Sequence, residues 1–231
     1  MPFLPHINPV ARFALLVIAW LPFCLLIWYF LAPTITWPLA ILIDWILPML
    51  FPGSIAGIDQ LGDRLDVVTN LPLPKEVLVQ LPPGSEGDLV FTINPLIYSY
   101  GLPLYTAMVI AVPGEEEVKW HNLIVGLPWL LAAQVWGVSF DILKTLLFTM
   151  GPEITQHMAF TSLSMEIVAL GYQLGYLILP PVLPVAIWVV LHRGYLSMLV
   201  LNSSFGVHQL GPHSYNQLIF VNNDRLVGDD S

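Results

Sequence analysis

One cysteine, six histidines and a few isolated acids are the side chains here that could make or break bonds. Cys24 sits mid-run in "WLPFCLLIWYF", with no histidine or arginine near it in that run. Apolar surroundings disfavour the thiolate, so an unpartnered thiol there is inert. His6, His121, His157, His192, His208 and His213 form no HxxxH or HExxH pair. His208 and His213 lie five apart across a Gly-Pro, so no single helix face presents both. The expectation is no metal site, no cofactor and no catalytic residue. Asp141 and Lys144 are three apart and pair on one helix face. Asp44 and Glu166 are the acids that matter most, because a carboxylate within or beside an apolar run is costly and marks a functional hypothesis. Asp44 is cheap if its helix lies flat with the carboxylate towards water, and Glu166 is cheap if it merely opens a span. Gln134 and Gln173 suit hydrogen bonding between helices. Ser139, Ser162 and Ser164 lack a nucleophile motif.

These residues are carried by a chain of 231 residues that is 56% hydrophobic and 10% charged, with mean hydropathy +0.75. Soluble domains carry about 25% charged residues, so this is an integral membrane protein whose first partner is the lipid bilayer. The net charge is −9 with seven scattered basic residues. No basic stripe exists for nucleic acid. A lone cysteine excludes an internal disulfide. The first apolar run, Phe13–Leu31, exceeds the roughly 7–15 residues of a signal-peptide core and is read as a retained span.

A helical span needs about 20 mostly apolar residues. Phe13–Leu31, Pro95–Val112, Leu123–Phe140 and Ile167–Leu191 qualify. Trp37–Phe51 holds Asp44 and prolines 38 and 48, and as helix it rises only about 22 Å. It is read as an interfacial or re-entrant helix, the alternative being a fifth span. Basic residues do not choose, since either topology places four of the seven inside.

Residues 54–93 change character. "LDVVTNL", "VLVQL" and "DLVFTI" alternate apolar and polar positions, and "PPGSEG" is a turn cluster between the last two. Three short strands with one apolar face need something to cover it. The domain reading is therefore 1–53, first span and interfacial helix; 54–93, small β-rich extracytoplasmic insertion; 94–191, three further spans; 192–231, polar tail. The fold class is a mainly α-helical membrane protein of about four spans.

The uncharged stretch "NPLIYSYGLPLYTAMVIAV", 94–112, is oddly polar and broken at its start. Asn94 before Pro95 suits a helix start. Tyr98 and Tyr100 suit the membrane interface. Gly101 and Pro103 loosen the helix, and Gly101 admits a close backbone. The stretch reads as an anchored, kinked, packed helix; the sharper alternative is a docking or substrate-lining surface. Gly171 and Gly175 give the fourth span a GxxxG spacing, followed by prolines 180, 181 and 184. Broken spans occur in transporters, but these two share no internal symmetry.

Three stretches, "RFALLVIAWLPFCLLIWYFLAP", "LFPGSIAGIDQLG" and "NPLIYSYGLPLYTAMVIA", resemble the exosortase H-associated membrane proteins. The resemblance covers residues 12–111; beyond it, span number and length agree. It implies a bacterial inner-membrane protein found alongside an exosortase, a polytopic enzyme class that uses Cys, Arg and His on proteins bearing a C-terminal sorting signal. It transfers no catalytic residue. The expected function is that of a non-catalytic accessory protein with an exosortase or its sorted substrates as partner. A membrane enzyme with a site built from Asp44, Glu166, His157 or His192, or a small transporter, are the rivals.

Overall fold

Prolines and apolar runs decide where the helices begin. In the computed structural model, which describes residues 9–71, 89–150, 155 and 160–205, α1 is Pro9–Phe30 and α2 is Ala32–Leu50. The strands are β1, Ile55–Leu61, β2, Arg64–Thr69, and β3, Leu89–Ile93. A single turn, α3, Leu96–Ser99, leads into α4, Gly101–Ala111. Next comes α5, Glu116–Lys144, prolonged by a π turn at Thr145–Thr149. The helix α6, Ser162–Gln173, runs through a second π turn, Leu174–Ile178, into α7, Leu179–Leu191. The last is α8, Arg193–Phe205, so the tail opens as a helix.

Four helices are long and apolar enough to cross a membrane: Pro9–Phe30, Ala32–Leu50, Glu116–Thr149 and Ser162–Leu191. The number matches the expectation, but the identities shift. The Asp44 segment is longer than its sequence suggested, because helix begins at Ala32. The 94–112 stretch instead yields Leu96–Ala111, a shorter apolar helix broken at Tyr100. Length makes α2 a candidate span, and its junction with α1 bears on that question. Leu31 N–H donates to Ile27 O at 3.0 Å, and Ile35 N–H to Leu31 O at 2.9 Å. The helical ladder thus carries across the single residue between them, and α2 leaves α1 without a reversing loop. An antiparallel return would lay α2 along α1. Instead α2 packs on β1 and on α5.

The helices that pack side by side are α1, α3–α4, α5 and α6–α7. Phe13 stacks on Trp188 at 4.8 Å, while Trp28, at the other end of α1, donates from Nε1 to Ser99 Oγ at 3.2 Å. Successive passes are therefore antiparallel. Two cores result. One joins Tyr105, Val109, Leu130, Ile187 and Trp188 near the start of α1. The other joins Leu39, Ile43 and Leu47 of α2, the sheet, and Val138, Ile142 and Leu146 at the far end of α5.

The sheet has order β1-β2-β3, antiparallel throughout. Leu65, Val67 and Thr69 are fully buried on one face, as the alternation in "LDVVTNL" requires. Leu89 and Ile93 join them from β3, with Phe91 partly buried. The cover this face needs comes from the chain's own α2 and α5. β1 escaped the alternation because its register shifts between Ile55 and Gly57. Its two-residue turn to β2 uses Gly62 at φ +64°, which glycine adopts without strain. "VLVQL" and the "PPGSEG" turn lie outside the described residues.

If α2 stays on one side of the bilayer, the start of α1 and Glu116 share a side, and the β1–β2 turn faces the other. In a Cys24→Ala background, single cysteines at Ala11 and Glu116 should label from one side with an impermeant thiol reagent. A cysteine at Asp63 should label from the opposite side. Labelling of Ala11 and Asp63 from the same side would show α2 recrossing.

Candidate functional site

The 94–112 stretch builds two different faces. Asn94 Oδ1 accepts the Leu96 N–H at 3.2 Å, fixing the entry into α3. Gly101 faces inward: a Cβ there would lie 2.6 Å from Pro180 O and 2.8 Å from Pro184 Cγ. The close neighbour that Gly101 implied is thus α7 of the same chain. Tyr98 is 3% exposed, against the expectation of an interfacial ring. Its ring lies on Gly137, and its edge meets Tyr176 at 6.3 Å. Its hydroxyl faces Asp141, which pairs with Lys144 at 3.6 Å. Lys144 in turn lies over the Tyr172 ring. Tyr100 remains partly exposed.

The opposite face of α4 presents Leu102, Pro103, Thr106 and Ile110, spaced as one helical stripe. It is the floor of a groove of 600 Å³ between α1 and α5. Phe23 and Ile27 of α1 form one wall, Ile124 and Leu127 of α5 the other. The lining is overwhelmingly apolar. Cys24, 6% exposed, and Gln134, 3% exposed, also line it. Gln134 Oε1 is buried without a hydrogen-bond partner. Periodicity could not reveal this groove, because both faces of α4 are apolar.

The acids and the described histidines are dispersed. Asp44 Oδ1 accepts the Ile58 N–H at 2.8 Å, so its carboxylate caps the edge strand β1 as well as meeting water. Glu166 is exposed in the first turns of α6. Ser164 belongs to a capping box with Thr161. His192 is buried at the end of α7. Its Nδ1 lies 3.0 Å from Trp188 O, and its Nε2 lies 3.0 Å from Asn122 Nδ2. With Nδ1–H donating to the carbonyl and Nε2 accepting from the amide, the neutral ring is fully satisfied. Tyr105 donates to Asn122 O at 2.6 Å, completing a lock between α4, α5 and the end of α7. Asn122 gave no sequence signal, since its partner lies 70 residues away. His6, His157, His208 and His213 lie outside the described residues. Among the described residues, no three His, Cys, Asp or Glu are grouped to hold a metal ion.

The exosortase H-associated membrane protein family matches residues 7–195 of the 231. The chain belongs to that family. The match extends the resemblance from the first half through α7, and it makes this a membrane protein of a family named for association with exosortase H. No curated protein and no solved structure matches the chain.

Two outcomes follow from this geometry. Gly101→Leu forces α4 from α7 and should cost about 1–3 kcal/mol, seen as lower abundance and a lower melting temperature in detergent. Tyr98→Phe should cost about 1 kcal/mol, because a buried hydroxyl facing a carboxylate is lost. Wild-type melting of both variants would remove the close-packing account.

Burial lowers the His192 pKa, and the hydrogen bond to Trp188 O offsets this in part. The unfolded chain then binds a proton more readily than the folded one. Stability is fully present above the ordinary histidine pKa of about 6.5 and falls as pH drops below it. Melting temperature should therefore fall between pH 7.5 and 5.5, and His192→Gln should lose part of that dependence. An identical slope in His192→Gln would refute the assignment.

Proposed function

We propose that this family member is a non-catalytic accessory subunit in the bacterial inner membrane, holding an exosortase-type enzyme or the proteins it sorts. The family supplies the system. The groove between α1 and α5 supports the reading as a binding protein, because it is a concave, helix-walled surface on the outside of the bundle. Of the side chains that an enzyme reading would use, Asp44 and His192 are engaged inside the chain. Asp44 holds the sheet edge, His192 closes the α5–α7 lock, and Asp141 pairs with Lys144. Asp44, Glu166 and His192 sit on three different helices, α2, α6 and the end of α7.

The test is a deletion of this chain in its own host. Proteins bearing a C-terminal sorting signal should then be processed several-fold more slowly, and the tagged chain should co-purify with the exosortase in mild detergent. Unchanged processing without co-purification would sink the proposal. Cleavage of a sorting-signal peptide by the purified chain alone would make it an enzyme instead.

A further inference from the structure

We propose that Lys144 and the tyrosines around it form a binding site for the phosphate group of one membrane phospholipid, on the sheet side of the bundle and away from the α4 groove.

The cluster sits where α5 and α6 wind into their π turns, Thr145–Thr149 and Leu174–Ile178. Such irregularities recur at functional sites. Lys144 Nζ lies 5.0 Å from the centre of the Tyr172 ring. Tyr172 stacks on Tyr176 at 5.7 Å, and Tyr98 meets Tyr176 edge to face at 6.3 Å. Tyr100 approaches Tyr176 from α4's start. Tyr100 and Tyr176 are 37% and 40% exposed, and the Lys144 side chain 35%, so the cluster is open from outside.

Its hydrogen-bonding capacity is lopsided. Asp141 Oδ1 is 3.6 Å from Lys144 Nζ, beyond bonding distance, so among the described residues the ammonium has no acceptor. The hydroxyls of Tyr100, Tyr172 and Tyr176 have none either. The one carboxylate, Asp141, already takes the Tyr98 hydroxyl. A surplus of donors calls for a ligand that only accepts, and a phosphodiester does. Asp141 offsets the charge of Lys144, so recognition falls to the hydrogen bonds.

Depth supplies the source of that phosphate. From Asn122 to Lys144 is about 33 Å along α5, and from Tyr172 to His192 about 30 Å along α6–α7. Both match the roughly 30 Å hydrocarbon core. Lys119 and Arg193 flank the Asn122–His192 lock and put it at one boundary. Lys144 and Tyr172 therefore stand at the other, level with the lipid headgroups. On the hydrocarbon side of the cluster, Leu177 and Ile178 are exposed to receive the acyl chains. An aromatic belt accounts for tyrosines at this depth, but not for an ammonium left without an acceptor among them.

The full chain in mild detergent, given phosphatidylglycerol or a galactolipid with the same acyl chains and weighed by native mass spectrometry, tests this. Wild type should retain one phosphatidylglycerol and little galactolipid. Lys144→Gln should weaken retention about ten- to a hundred-fold, the worth of a charge-assisted hydrogen bond. Lys144→Arg should keep it, and Lys119→Gln at the opposite boundary should leave it unchanged. Tyr172→Phe with Tyr176→Phe preserves both rings and should weaken it several-fold. Equal retention of the galactolipid by wild type, a result that needs no variant to fold, would overturn the site. So would undiminished retention in Lys144→Gln. Displacement of the lipid by inorganic phosphate would make free phosphate the ligand instead. A photo-crosslinking residue at Tyr176 in native membranes should capture lipid, and capture of protein alone would give the cluster to a partner's acidic group.

Discussion

The bundle depends on how closely its helices can approach. In lipid, no hydrophobic gain drives one apolar helix onto another, so contact distance and interhelical hydrogen bonds carry the association. A Cβ on Gly175 would lie 2.7 Å from Gly137 Cα, so α5 and the π turn before α7 meet almost backbone to backbone. Gly137 also takes the Tyr98 ring, and Gly126 takes the Tyr105 ring. With those rings seated, Tyr105 reaches Asn122 O and Asn122 reaches His192. The polar lock thus depends on the missing side chain of Gly126, which makes room for the Tyr105 ring.

The second dependence is between the sheet and the helices. Three short strands do not stand alone. Here their apolar face is closed by α2 and the end of α5, and their open edge is met by Asp44. A carboxylate in an apolar helix looked functional because it is expensive. Its expense is offset by an edge-strand N–H that would otherwise need its own acceptor.

How legible all this was in the sequence varied with the physics. The faces of β2 and β3 were plain, because period-2 burial is set by the pleat. β1 was not, because a register shift breaks the period at Ile55–Gly57. Helix α2 begins before Trp37 because Pro33 sits in its first turn, where a proline starts a helix. The close approach at Gly101 was legible, but its partner was not, since Pro180 lies far along the chain. Tyr98 was misplaced at an interface for the same reason: its cover comes from α5 and the π turn after α6. The groove was the least legible feature. It is a space between helices that are each apolar all round, and an apolar pattern does not say which side faces lipid and which faces protein.

One consequence concerns the length of α5. With its π turn it spans 34 residues, about 50 Å of rod, against a hydrocarbon core of about 30 Å. Its early turns sit in one core and its last turns in the other. Helices answer changes in bilayer thickness by tilting. A tilt of this rod carries its two ends in opposite directions, and the sheet is seated at one of them.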